Sequence, residues 1–323
     1  MRVLVTGATG FIGLELVKQL ADRGMKVRAM VRRPGRAALL RGVTCEPVQA
    51  DLAAPASLRR AVRGVDAVIH LAARATFEPY SVVRPSIVDG SATLFRAAQA
   101  EGVESFVFAS RLFVYGRGAG EIDASTPAEP VLGYGMAKLE AERRLLELST
   151  DGPMRLANLR LPHVYGPRSL LFDQVRSGRF VFPASLDRRF SHLHVLDAAR
   201  ALRLAIGWSG TSVVADDESA TWREFFATLQ RYFPSFRLRR VPAAAAVAAT
   251  TLLQPWQRLR GVPALTTPDA VRGFNLELPS RPGLFWDEIG SRPRFSTVEQ
   301  GIPAALDAFV EYRWQHPVFD RAA

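Results

Sequence analysis

The chain has 323 residues, 48% of them hydrophobic and 23% charged, a balance that fits a globular protein with ample core and excludes a disordered or fibrous one. Its formal net charge is +11, from 42 basic against 31 acidic residues, yet the arginines are scattered and only Lys18, Lys26 and Lys138 are lysines. No zinc-finger spacing, RNA-binding aromatic motif or long basic block appears, so nucleic acid is not an expected partner.

The single cysteine, Cys45, rules out an internal disulfide and is expected to be inert. The longest apolar tract, Val241–Leu253, holds Pro242 and is shorter than the roughly 20 residues that span a bilayer, so no membrane span is expected. Residues 1–20 lack the charged lead, apolar core and cleavage site of a secretory signal, and the expected location is cytoplasmic.

In chain order, Val3-Leu4-Val5 reads as a buried strand. Three glycines follow, Gly7, Gly10 and Gly13, and then Leu14, Leu16, Val17 and Leu20 at helical spacing. The pattern is strand, tight turn, helix. Gly7 suits a tight turn or a positive φ, Gly10 lets backbone approach a pyrophosphate, and Gly13 lets the helix pack close to the strand. The free N–H groups at the helix start, with the positive end of its dipole, suit phosphate oxygens. Gly7, Thr9, Gly10, Phe11, Ile12 and Gly13 are therefore the candidate dinucleotide-binding turn. Met25–Val31 reads as the second strand. Dinucleotide sites that take NAD place an acid just past this strand, on the ribose hydroxyls. Here Arg32 and Arg33 stand there, and a guanidinium pairs with a 2′-phosphate, so NADP(H) is favoured over NAD(H).

Thr6-Gly7-Ala8-Thr9-Gly10-Phe11-Ile12-Gly13 resembles the N-terminal signature of the short-chain dehydrogenase/reductase superfamily. The length and later motifs resemble its extended branch, the NAD(P)-dependent epimerase/dehydratase family. The resemblance covers nearly the whole chain. It implies an α/β fold: a Rossmann-type doubly wound parallel sheet over residues 1–168, rejoined at about 190–215, with a smaller mixed C-terminal substrate lobe over most of 169–323. It further implies that Asp51-Leu52 holds the adenine edge, and that Leu71, Ala72 and Ala73 form the small-residue turn beside the cofactor's ribose and phosphates. His70 reads as a packed strand histidine. The helix Ile87–Ala100 departs from the family, with Ile87 where an Asn often stands.

Ser105–Ser110 is an apolar strand. Ser110-Arg111-Leu112-Phe113-Val114-Tyr115-Gly116 resembles the family's Ser-Ser-x-x-Val-Tyr-Gly segment, and the family's catalytic hydroxyl falls on Arg111. Either Ser110 substitutes for it, or Arg111 itself donates to a developing oxyanion. Tyr134 and Lys138 lie four residues apart on the helix Tyr134–Leu148 and so share a face. An ammonium near a phenol stabilises the phenolate and makes it a usable acid and base. Tyr134 is the candidate acid/base; Lys138 would tune it and hold the nicotinamide ribose.

Met154–Leu161 reads as the next parallel strand. Pro162 and His163 follow in Leu161-Pro-His-Val-Tyr-Gly-Pro-Arg168, which resembles the turn that passes the nicotinamide carboxamide in the family; His163 either touches cofactor or substrate there or packs as a loop histidine. Phe190-Ser-His192-Leu-His194-Val195-Leu-Asp197 resembles a further family segment, with Asp197 beginning a helix at its N-cap or first turn. The two histidines lack a third ligand at metal spacing, so no metal is expected. Beyond residue 211 the βα rhythm stops. Thr221-Trp222-Arg-Glu224 is a capping box, and Ala243–Leu253 an apolar helix.

The expected function is NAD(P)-dependent hydride transfer between nicotinamide and a carbonyl or alcohol of a fairly apolar small molecule. The alternatives are a nucleotide-sugar epimerase or dehydratase, and a cofactor-binding sensor or assembly protein without turnover, the latter motivated by Arg111. A homodimer through the Tyr-Lys helix is what the resemblance implies.

Overall fold

The computed structural model describes all residues except 75, 117, 119, 124, 170, 173–178, 234–235, 260–266 and 316–323, and describes only the backbone of 179, 255–259 and 309–315. Its framework is a parallel sheet. β1 (Arg2–Thr6), β2 (Lys26–Val31), β3 (Glu46–Gln49), β4 (Ala67–His70), β5 (Ser105–Arg111), β6 (Arg155–Leu161) and β11 (Gly210–Val213) form a 7-stranded sheet in the order β11-β6-β5-β4-β1-β2-β3. Every pair in it is parallel. The strand order reverses between β1 and β4, and ligands of such sheets bind at that crevice, outside the C-terminal strand ends.

β1, β4 and β5 are buried along nearly their whole length, because helices cover both faces of the sheet. Alternate residues feed two cores. Leu4, Val68, Phe106 and Phe108 join one; Val3, Val5, Ile69, Val107 and Ala109 join the other. The second core is closed by α1 (Phe11–Ala21) and by α6 (Val195–Leu204), and Phe285 and Trp286 from late in the chain pack into it. The first lies under α2 (Pro55–Val62), α4 (Gly90–Ala100) and α5 (Gly133–Ser149).

The expected helix Ile87–Ala100 is more complex than its periodicity. A short helix α3 (Tyr80–Arg84) runs through one π-type turn, Pro85–Asp89, into α4. Ser91 lies just past that turn and donates to the Ile87 carbonyl oxygen at 2.5 Å. α6 also begins earlier than expected. Its N-cap is His194, whose ring accepts from the Leu196 N–H, and Asp197 sits in its first turn. Asp197 instead reaches across the fold, accepting from the backbone N–H groups of Arg294 at 2.8 Å and Phe295 at 3.0 Å.

The rest of the chain adds short strand pairs and helices. β7 (His163–Tyr165) pairs with β10 (His192–His194), β9 (Arg189–Phe190) with β12 (Ala220–Thr221), and β8 (Arg179–Phe182) with β13 (Arg237–Arg240). α7 (Trp222–Tyr232) carries the capping box: Thr221 accepts from the Glu224 N–H, and Glu224 accepts from the Thr221 N–H. Its apolar side, Trp222, Phe225, Phe226 and Leu229, packs with Phe180, Phe182, Phe190 and Phe236. α8 (Ala243–Leu259), α9 (Pro268–Phe274), α10 (Phe285–Glu288) and α11 (Val298–Gln315) complete the described elements.

Candidate active site

The glycine turn has the geometry its spacing implies. Gly7 has φ of 68°, and a Cβ there would lie 2.9 Å from the Ala72 nitrogen, so the turns after β1 and β4 touch backbone to backbone. A Cβ on Gly13 would lie 2.1 Å from the Gly7 carbonyl oxygen, which is how closely α1 is drawn onto the turn. Gly10 is the exposed N-cap of α1. The first amides of α1 have no acceptor within the helix, and its first turn carries no acid. A bare, positively polarised helix start behind a glycine-rich turn fits the pyrophosphate of a dinucleotide.

Thr6 ties the neighbouring strand end to this turn. Its hydroxyl accepts from the N–H groups of Leu71 at 3.2 Å and Ala72 at 3.0 Å, and meets His70 Nδ1 at 2.7 Å. His70 Nε2 meets the Ser91 hydroxyl at 2.8 Å. Burial pulls the imidazole down to about 3, with Lys138 pushing the same way, so His70 is neutral and packed. Ala73 packs against the core beneath it.

Past β3, Asp51 Oδ1 accepts from the Ala53 N–H at 3.0 Å and shapes its own turn. Leu52 packs against Gly90, where a Cβ would lie 3.0 Å from the Leu52 Cβ. Arg32 and Arg33 are exposed just past β2, and among the described residues neither makes an ion pair.

The candidate acid/base pair lies at the next strand ends. Tyr134 and Lys138 are both buried on α5, at 6% and 3% exposure. Gly135 places Tyr134: a Cβ there would lie 1.9 Å from the Phe113 carbonyl oxygen, so the first turn of α5 is pressed onto the turn that follows β5. The Tyr134 ring meets Phe77 edge-on at 5.8 Å. Lys138 Nζ donates to the Ala109 carbonyl oxygen at 2.7 Å and lies 4.5 Å from the Phe108 ring centre. Burial, and then Arg111, pull the ammonium down to about 7 against a smaller upward pull from Glu142.

One expectation is corrected here. Ser110 does not offer its hydroxyl to the site. It is fully buried and donates to Glu142, the carboxylate that also holds Arg160 at 2.6 Å. Arg160 in turn donates to the Tyr115 hydroxyl at 2.8 Å. Burial pushes the Tyr134 phenol up, and the charge that opposes this is Arg111.

Arg111 ends β5 with its guanidinium 5.8 Å from the Phe113 ring centre, and burial pulls it down. Its guanidinium makes no hydrogen bond among the described residues. Tyr134, Lys138 and His163 all lie within its field.

His163 takes the packed alternative. Its Nδ1 meets His192 Nδ1 at 3.0 Å, and its ring lies 5.0 Å from Trp222 and 5.4 Å from Phe225. Burial, then His192 and Arg111, drive it well below the usual imidazole range. Pro162 beside it is buried. Among the described residues no group of three or more His, Cys, Asp or Glu side chains could hold a metal, and no helix is long and apolar enough to cross a membrane. Sequence reasoning missed Glu142, although Tyr134, Lys138 and Glu142 repeat every four residues on one helix face.

Several known proteins resemble the chain. It is 27% identical over 242 residues to a sterol-4-alpha-carboxylate 3-dehydrogenase, decarboxylating, from Dictyostelium discoideum, covering 69% of this chain and 74% of that protein. It is 28% identical over 278 residues to a ceramide reductase from Caulobacter vibrioides, covering 81% and 80%. Among solved structures, MoeE5 in complex with UDP-glucose and NAD matches with a TM-score of 0.79 at 22% identity, over 97% of this chain and all of the other, a likeness of fold. The model of the NAD dependent epimerase/dehydratase family matches residues 3–214, from β1 to just past the last strand of the sheet, and the chain belongs to that family of enzymes.

Proposed function

We propose that this protein is an NADP(H)-dependent oxidoreductase that interconverts a carbonyl and an alcohol on a fairly apolar substrate, with Tyr134 as acid/base and Arg111 as its charged partner. The observation that carries the reading is the placement of Arg111. It brings a half-buried positive charge to Tyr134 at the end of β5, two strands from the glycine turn. When bound, the nicotinamide supplies or accepts the hydride.

In the reducing direction, the Tyr134 hydroxyl gives its proton to the substrate oxygen as that oxygen gains charge. The phenolate left behind is a buried anion, and Arg111 offsets the desolvation that otherwise disfavours it. The same guanidinium has donors free for the substrate oxygen, which is the role a hydroxyl would have served. Lys138, tied to the Ala109 carbonyl at 2.7 Å, would hold the ribose and pass a proton near neutral pH.

Arg32 and Arg33 would pair with a 2′-phosphate, and Gly7, Thr9, Gly10, Phe11, Ile12 and Gly13 would hold the pyrophosphate. Asp51 and Leu52 would border the adenine. Leu71, Ala72 and Ala73 would border the ribose and phosphates, with Pro162 and His163 near the carboxamide. Phe77 and Phe113 give the site apolar walls. Relatives named for a sterol carboxylate and for ceramide fit such walls better than a sugar nucleotide does.

The test is a fluorescence titration with NADPH and NADH, followed by turnover assays with long-chain ketones, sterol ketones and UDP-glucose, on wild type and Tyr134→Phe. Expected are tighter binding of NADPH, loss of that preference in Arg32→Ala/Arg33→Ala, and turnover of a lipid ketone that depends on Tyr134. Turnover of UDP-glucose alone, or NADPH binding with no Tyr134-dependent turnover of any substrate, would overturn the reading.

A further inference from the structure

α8 has a surface that a helix in water does not ordinarily show. Ala244, Ala245, Ala248, Ala249, Thr251, Leu252 and Leu253 are all exposed, Leu252 at 81% and Leu253 at 51%. Among residues 243–254 only Thr250 is buried. The segment carries no charge at all. A surface helix normally turns charged residues outward. α5 does so with Arg143, Arg144 and Glu147. The uncharged side of α8 is therefore an uncovered apolar face.

Next to it in the chain lies a basic strip. β13 exposes Arg237, Arg239 and Arg240, and among the described residues none of them has an acidic partner. Arg239 pairs in register with Val181 of β8, itself 52% exposed, so the same strand pair mixes cations with apolar surface. The sequence sharpens the bias: from Phe225 to Pro268 there is no Asp or Glu, and there are six arginines. Tyr232, at the end of α7, is 52% exposed near the start of this stretch.

We propose that α8 and β13 form a docking surface for an anionic lipid bilayer. α8 would lie in the plane of the interface with Leu252 and Leu253 among the acyl chains, and Arg237, Arg239 and Arg240 would meet lipid phosphates. The charge pattern selects this occupant. A second copy of the chain on the same face would bring two sets of unpaired arginines together, with no acid in the stretch to offset them. A bilayer rich in acidic headgroups satisfies both the apolar and the cationic parts. The helix is too short and too poor in hydropathy to span, so the contact is peripheral. This inference stands on the surface alone and does not depend on the substrate.

Flotation of the purified protein with vesicles tests it, using phosphatidylcholine alone and phosphatidylcholine mixed with phosphatidylglycerol, at low and high salt. Binding is expected to the mixed vesicles, to weaken as salt screens the arginines, and to be lost in Leu252→Asp/Leu253→Asp. Arg237→Ala/Arg239→Ala should bind the mixed vesicles roughly 25-fold more weakly, at about fivefold per arginine. Circular dichroism melts and NADPH titration of each variant establish that the fold is intact. Failure of the wild type to float with mixed vesicles overturns the proposal, as does equal binding by folded Leu252→Asp/Leu253→Asp. So does a concentration-dependent dimer in sedimentation that these aspartates dissolve without any vesicle binding, since that result assigns the face to a second copy.

Discussion

Lys138 Nζ donates to the carbonyl oxygen of Ala109 at 2.7 Å, a bond that crosses from α5 to the strand that ends in Arg111. The ammonium is 3% exposed, so the bond is made by a group that burial would rather see neutral. Its value falls to about 7 from an ordinary 10.5. Between those values the unfolded chain holds a proton that the folded protein lacks, so this residue's contribution to stability rises as pH climbs from about 7 to about 10. Below pH 7 both states are protonated and the penalty is complete. Lys138→Met removes the titration. The Tm of the wild type should therefore gain on that of Lys138→Met by several degrees between pH 6 and pH 10. Parallel Tm-against-pH curves would show that Lys138 is not depressed in the folded state.

Arg111 and Tyr134 make a second prediction, on rate rather than stability. Arg111→Met keeps length and removes charge. The phenol loses the cation that opposes its burial and should titrate still higher, while Lys138, relieved of a like charge, should also rise. Turnover at neutral pH should fall about 10²-fold, the scale of losing one donor at a developing oxyanion, and the pH–rate profile should move to the alkaline side. Dinucleotide affinity should change little. A rise in turnover on Arg111→Ser would mean that a hydroxyl serves better and that the guanidinium is not the donor.

These two residues also mark where the sequence was readable. Gly7, Gly10 and Gly13, and the Tyr134–Lys138 pair, are local patterns: spacing within one turn or one helix carries their geometry. The sheet order follows from strands alternating with helices, and the capping box at Thr221 is a three-residue signal. What escaped depends on pairs far apart in the chain. Ser110 and Glu142 are separated by 32 residues and Arg160 and Glu142 by 18, and nothing local shows that the carboxylate takes both. His163 meets His192 across 29 residues, and that distant contact is what decides for the packed one of its two alternatives. The π-type turn at Pro85–Asp89 escaped because periodicity averages over a single wide turn.

Glu142 gives a stability prediction. It is 4% exposed and is held by Arg160 and Ser110. Glu142→Ala leaves the Arg160 side chain, 15% exposed, without its anion. Breaking a buried pair from one side costs about 3–5 kcal/mol, so urea unfolding should register a loss of that order. Glu142→Leu/Arg160→Met replaces both charges with apolar volume and should recover most of it. If the double variant is as unstable as Glu142→Ala alone, the loss comes from packing around α5 and not from the stranded guanidinium.

Gly10 and Gly13 separate binding from folding within one turn. A methyl at Gly13 would sit 2.1 Å from the Gly7 carbonyl oxygen, backbone that cannot move without shifting β1 or α1. Gly13→Ala should therefore destabilise the fold itself by a few kcal/mol, the range of an overpacked core. Gly10 differs. Its φ of −81° suits any residue, it is exposed, and a methyl there would meet only the Gly7 oxygen at 3.1 Å. Gly10→Ala should melt within a few degrees of the wild type. The methyl would stand where a pyrophosphate must approach the helix start, so NADPH and NADH affinity should fall together, by about tenfold or more. Calorimetric melts and dinucleotide titrations on the two variants check both halves. Unchanged affinity in a folded Gly10→Ala would mean that the phosphates do not cross this turn.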